Sequence, residues 1–258
     1  MKSLAKILLA TFALTIVTVG FFSCDEPTDS DLTATVTVNK AIFKNGDTVK
    51  ISIDAVTTND KIMTVEVKKG ANAIVSPDVT DNKMYKETVN YIVNDADGEV
   101  EFTVTITGET LMDPIVKTVK VNVVSGVEVT LGASASPQPS FVNGTTLQTY
   151  NSVAAFASQA SVDLVYTYKA TDGAIIGAPS DASFTLANWT TKNATKIGRI
   201  ADMTIAAIDA VTTTVVKNLV VGDMLGYVTV SGTKGIIVVK NIVVDTTGNV
   251  TFTFMVIK

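Results

Sequence analysis

The stretch Gly98-Glu99-Val100-Glu101-Phe102-Thr103-Val104-Thr105-Ile106 alternates strictly between polar and apolar side chains. Successive side chains of a strand point to opposite faces, so Val100, Phe102, Val104 and Ile106 share one face while Glu99, Glu101, Thr103 and Thr105 share the other. A helix would spread those four apolar residues around its circumference and bury none of them efficiently. The same period recurs in Leu32, Ala34, Val36, Val38; in Val49, Ile51, Ile53; in Val65, Val67; in Val89, Tyr91, Val93; and in Val119, Val121, Val123. Between these runs lie Asn45-Gly46-Asp47, Thr58-Asn59-Asp60, Lys69-Gly70-Ala71-Asn72, Asp81-Asn82 and Asp95-Ala96-Asp97-Gly98, residue types that favour tight turns. About six or seven short strands at this spacing predict an immunoglobulin-like antiparallel β-sandwich over residues 32–125. The disulfide and buried Trp of antibody domains are missing from it, because the chain's one Cys is Cys24 and its one Trp is Trp189.

Near Val127 the character changes. Gly132-Ala133-Ser134-Ala135-Ser136-Pro137-Gln138-Pro139 is small and polar, and helical spacing enters among the strands. Ser152 to Ser161 is Ala-rich and predicts a short helix. Ile200 to Val211 predicts another, with Met203, Ala207, Ile208 and Val211 at spacings of three and four and Asp202 as its cap. Strands are expected at Val215 to Leu219, Met224 to Val230, Gly235 to Val244 and Val250 to Ile257. In the last of these Val250, Phe252, Phe254 and Val256 lie on one side, and Ser231-Gly232-Thr233-Lys234-Gly235 forms a hairpin turn before the third. Residues 126–258 thus read as a second, mainly β domain with one or two short helices, and the whole chain as mainly β.

At the other end, Lys2 and Lys6 precede an apolar run from Ile7 to Phe22 that is shorter than the roughly 20 residues of a spanning helix. Residues 1–23 therefore read as a cleaved export signal. Ser23-Cys24 at its end resembles the lipobox of bacterial lipoproteins, which implies a diacylglyceryl group on Cys24, although Phe21 stands where that box usually has Leu, Val or Ala. Residues 24–31, which include Asp25, Glu26, Asp29 and Asp31, have no large apolar side chain and form an acidic tether.

The composition excludes several chemistries. There is no His, and the only Cys is the predicted lipid site, so Ser-His-Asp and Cys-His catalysis, the usual zinc sites and an intrachain disulfide are all ruled out. Loss of Lys2 and Lys6 with the signal leaves 18 basic and 25 acidic residues in the mature part. The only Arg is Arg199, so nucleic acid is not an expected partner. No cofactor is expected, and no spacing among Asp163, Asp172, Asp181 and Asp223 singles out a glycosidase pair.

Four runs carry a resemblance: Val162-Asp163-Leu164-Val165-Tyr166-Thr167-Tyr168; Gly177-Ala178-Pro179-Ser180-Asp181; Trp189 through Asn193-Ala194-Thr195-Lys196; and Val221-Gly222-Asp223-Met224-Leu225-Gly226-Tyr227. Together they resemble a recurring pattern of surface lipoproteins of the Bacteroidetes, and residues 32–125 resemble, more loosely, the immunoglobulin-like modules at the N-termini of such proteins. The acidic residues behind Cys24 resemble the export signal that sends these lipoproteins to the outer face of the outer membrane. The resemblance implies location and architecture, and no functional residue comes with it.

Each candidate site has a plain structural alternative. Asp95, Asp97 and Glu99 around Gly98 offer the oxygens a calcium ion wants, and equally make an Asp-Gly turn opening a strand. Trp189, Tyr166, Tyr168 and Tyr227 could stack on sugar rings, or pack in the core and at edges. Asp47-Thr48-Val49 and Asp245-Thr246-Thr247 resemble the short O-glycosylation signal of the same bacterial group, with Thr48 and Thr246 as acceptors, and also suit ordinary turns. The functional expectation is a non-catalytic binding or structural module on the cell surface or outer membrane, its partners being the membrane through the anchor and a surface glycan or another outer-membrane protein. A glycan-binding accessory of a nutrient importer is the alternative, and a fimbrial subunit a weaker one, since no Arg precedes Arg199.

Overall fold

A computed structural model describes residues 30–111 and 113–258; the signal, Cys24 and most of the tether lie outside the described residues. Eight strands come first: β1 (Thr33–Val38), β2 (Ile42–Phe43), β3 (Thr48–Val56), β4 (Ile62–Lys69), β5 (Asn72–Val75), β6 (Met84–Ile92), β7 (Gly98–Gly108) and β8 (Ile115–Val123). They form two sheets, β1-β3-β6 and β2-β8-β7-β4-β5. All pairs are antiparallel except β2 with β8, which run parallel. Three strands facing five is an immunoglobulin-like sandwich. The alternation places its core as expected. Phe102, Val104 and Ile106 are fully buried with Val49, Ile51, Val67 and Phe43, each such side chain contributing about 1.5–3 kcal/mol by leaving water.

Ser125 and Gly126 lead into the second sandwich. Its strands are β9 (Val127–Gly132), β10 (Phe141–Val142), β11 (Thr149–Tyr150), β12 (Leu164–Lys169), β13 (Gly173–Gly177), β14 (Lys196–Arg199), β15 (Val215–Val216), β16 (Met224–Val228), β17 (Lys234–Ile242) and β18 (Asn249–Ile257). Two five-stranded antiparallel sheets result, β11-β10-β12-β13-β15 and β14-β16-β17-β18-β9. Between them Leu131, Leu164, Tyr166, Ile176, Ile197, Tyr227, Phe252 and Phe254 are buried. The hairpin at Ser231-Gly232 joins β16 to β17, with Gly232 at φ +88°, a left-handed conformation that glycine adopts without a Cβ clash.

The helices are shorter than the sequence suggests. α1 spans Ser152–Ala157, capped by the Asn151 side chain accepting from the Ala154 amide; a single 3₁₀ turn at Gln159–Ser161 follows. α2 spans Ile205–Asp209, and its cap is Thr204, whose Oγ1 accepts from the Ala207 amide. Asp202 instead accepts the Thr204 hydroxyl proton at 2.7 Å, two residues before the cap. The strand expected at Val215 to Leu219 stops after Val216, because Asn218 takes φ +53° and turns the chain.

β18 is buried on both faces, which explains why Met255 is as inaccessible as Phe254. Outside its sheet, Met255 and Ile236 join Ile208 of α2 and two residues of the first sandwich, Ile42 and Val124, in one apolar cluster with every member at 1% exposure or less. The two sandwiches are therefore fastened by burial as well as by the chain.

A groove beneath a pinned strap

β12 alternates between two environments. Leu164, Tyr166 and Tyr168 turn toward the space between the sheets, and Val165 turns to the outside of its sheet, where Phe141 and Ile175 join it. An outward apolar face must be covered. Residues 178–195, an irregular strap between β13 and β14, cover it with Phe184, Leu186 and Trp189, while Tyr150 and Ala155 cover its far side. Trp189 stacks on Phe141 with ring centroids 5.6 Å apart and planes at 23°. Asn188 takes φ +62° immediately before it, the turn that carries the indole back to the sheet.

Both ends of the strap are tied by side chains. At its start Lys169 Nζ donates to the Ser183 carbonyl at 2.6 Å, and Asp181 accepts from the Ser183 amide at 2.8 Å and the Thr214 hydroxyl at 2.6 Å. Burial alone would raise the Asp181 carboxyl, but those hydrogen bonds outweigh it and hold the group below the usual carboxylate range. At its end Gln159 Oε1 accepts from the amides of Thr190 and Thr191 at 2.8 and 2.9 Å. Asn193 Nδ2 lies 3.0 Å from the Ala160 carbonyl, 2.9 Å from the Val162 carbonyl and 3.1 Å from Asp163 Oδ1. Asp163 also accepts from the Gly144 amide, and burial keeps its carboxyl above the ordinary value despite both bonds.

Between strap and sheet lies a groove of about 400 Å³, within the size range of small-molecule sites. Phe141, Val165 and Thr167 form its floor, Phe184, Leu186 and Trp189 its strap wall, and Ser134, Ser140 and Ser152 the opposite rim. Lys169 is the one charged residue on the lining, which contains no Asp, Glu, Asn or Gln.

The residues singled out from sequence are not brought together. Trp189 lines the groove. Tyr166 borders it at β12, but its ring packs inward, edge-on to Phe252 at 6.2 Å and 1% exposed, and burial pushes its hydroxyl up to about 12. Tyr168 lies on the same inner face, and Tyr227 is fully buried with its hydroxyl donating to the Gly144 carbonyl at 2.6 Å. A platform of Trp189 with these tyrosines is therefore not assembled. Asp95 is engaged by Lys69 and Tyr91, Asp97 by the Ser125 hydroxyl, and Glu99 by Lys120. The three do not converge, and no group of acidic, Cys or His side chains suited to a metal occurs among the described residues. Thr48 begins β3, and Thr246 sits exposed in the Asp245–Gly248 turn, where Asp245 accepts from Thr247. Asp172 pairs with Lys217 and Asp223 with Arg199, so these carboxylates too are occupied separately. Cys24 lies outside the described residues.

Lys169, Phe141 and Phe184 carry the groove and were not apparent in the sequence. Its one local signal was the alternation Ser183-Phe184-Thr185-Leu186 inside an otherwise loop-like stretch.

No protein-family model and no curated protein sequence matches the chain. Among solved structures it is similar to the fibronectin(III)-like modules of Clostridium thermocellum CbhA, at 12% identity and a TM-score of 0.31, over 78% of this chain and 88% of that one.

Proposed function

We propose that the protein is a lipid-anchored, non-catalytic binding module, held to the outer membrane by Cys24 and presenting its second sandwich to ligand. The observation that carries the binding role is the groove under the strap, an apolar concavity of ligand size whose wall is tied down at both ends. Preformed walls lower the ordering cost of binding. The non-catalytic reading is supported by the separate engagement of each carboxylate near it and by the lack of His and of any second Cys. The apolar signal ending in Ser23-Cys24 and the acidic tether support the anchor and an outward-facing location. Two or more acyl chains hold a protein where one binds reversibly. Of the glycan candidates, Trp189 and Tyr166 border the groove, and the Tyr166 ring packs inward.

The anchor is tested by labelling producing cells with a fatty-acid probe. Label on the wild type and none on Cys24→Ser, with the variant released from the membrane fraction, is the expected outcome. Equal labelling of both refutes it.

A further inference from the structure

We propose that the groove takes a small amphipathic organic anion, a carboxylate borne on an apolar ring or chain. This rests on the groove being a binding site, and it assigns the ligand's chemistry. The apolar body is read from the walls: Phe141, Val165, Phe184, Leu186 and Trp189 offer aromatic and aliphatic surface on floor and strap alike. Single hydroxyls from Ser and Thr side chains rim these walls. The side chains that grip sugar diols through two hydrogen bonds at once, Asp, Glu, Asn and Gln, are absent from the lining.

The charge is read from Lys169. Eight of the seventeen lysines among the described residues, Lys69 and Lys217 among them, sit against a carboxylate. Lys169 has no such partner among the described residues, is half-buried, and spends one of its donors on the Ser183 carbonyl. An ammonium has three donors, so two remain for an anion at the groove's edge. In partial burial a charge-assisted bond of this kind is among the stronger polar contacts. The hydroxyls of Ser140, Ser152 and Thr167 border the same space and can donate to the second carboxylate oxygen.

Trp189 is the only Trp in the chain, so its emission reports this groove and nothing else. The full chain, reconstituted in phosphatidylcholine vesicles, is titrated with phenylpropionate, with its neutral counterpart phenylpropanol, with glucuronate and with maltose. Phenylpropionate should shift the emission saturably and bind about tenfold more tightly than phenylpropanol, the scale of one charge-assisted bond. That preference should vanish in Lys169→Met and persist in Lys169→Arg. Equal affinity for acid and alcohol on the unmutated chain, a preference that survives Lys169→Met in a folded variant, or tighter binding of maltose than of either, overturns the anion and leaves the groove as a site. If no probe moves the emission, the binding role itself falls. The acid-against-alcohol comparison needs no variant, so it stands whether or not Lys169→Met folds.

Discussion

Replacing Gly235 by Ala tests how closely the second sandwich is packed. Gly235 lies opposite Tyr227 across the β16–β17 pair, and the ring of Tyr227 lies over it. A Cβ built on Gly235 would sit 2.4 Å from the Cε1, Cζ and hydroxyl oxygen of that ring. Ordinary contact begins about 1 Å further out, so the ring must move, and it cannot do so freely. It is fully buried, edge-on to Phe254 at 6.1 Å, and tied by its hydroxyl to the Gly144 carbonyl. Overpacking of a tight core costs about 1–3 kcal/mol, and a buried carbonyl and hydroxyl losing their mutual bond cost about 1–3 kcal/mol more. The chain entropy that Ala removes from the unfolded state returns about 0.5–1 kcal/mol. Gly235→Ala should therefore destabilise the second sandwich by about 1–5 kcal/mol, on the same principles.

Urea unfolding followed by Trp189 emission measures this, since the indole sits in the affected sandwich. Tyr227→Phe removes the hydroxyl bond in advance, so the double variant should cost less than the sum of the two singles by about 1 kcal/mol. A Gly235→Ala variant within about 0.5 kcal/mol of wild type, or strict additivity of the pair, would refute the assignment of this contact.

Asn193→Ala removes the amide that holds three acceptors at the end of the strap, and should raise trypsin cleavage after the exposed Lys192 about tenfold at native conditions, read by mass spectrometry; an unchanged rate argues against the clamp. Asp223 is pushed up by burial but held below the ordinary carboxylate range on balance by the Arg199 guanidinium and the Val220 amide. Its stabilisation is complete above the unfolded value near 3.8 and is lost as pH falls below it, so Arg199→Met should flatten the fall in melting temperature between about pH 5 and about pH 2. Parallel curves for the two proteins would contradict this. Val124→Lys places a charge in the apolar cluster between the sandwiches and should split a single calorimetric transition into two; one unsplit peak would mean that the contact does not couple them.

The fold was legible because alternation is a strong signal where one face of a sheet is wet. Val100, Phe102, Val104 and Ile106 could belong to nothing but a half-buried strand, and a sandwich followed from repeating that pattern between turn residues. The same reasoning had less purchase on β18. Its faces are both covered, Met255 by the other sandwich, and that contact depends on Ile42 and Val124 far away in the chain. The cap of α2 was misplaced by two residues because Asp202 and Thr204 are both good caps and only the backbone geometry, Thr204 at φ −121° and ψ 151°, chooses between them. The groove was least legible of all. Tyr166 and Trp189 look alike as aromatic residues in a β-rich segment, but one obeys the parity of β12 and points inward, while the other rides on an irregular strap whose path no periodicity encodes.

That contrast bears on where a ligand can bind in such a protein. The inner faces of both sandwiches are filled mostly by buried side chains, and filling them is what the alternating strands do. The groove at Trp189 comes instead from chain that is not strand. The strap supplies it by lifting Phe184, Leu186 and Trp189 over an outer face that would otherwise be wet, at the cost of ordering eighteen irregular residues, roughly 1–2 kcal/mol of backbone entropy for each. Gln159, Lys169, Asp181 and Asn193, each bonded to the strap or within it, offset part of that cost. Lys169 belongs to both accounts: one of its donors closes the strap, and its side chain lines the groove that the closed strap creates. Ligand binding at Lys169 should therefore protect the strap from the protease that Asn193→Ala exposes, which links the two sites through a single side chain.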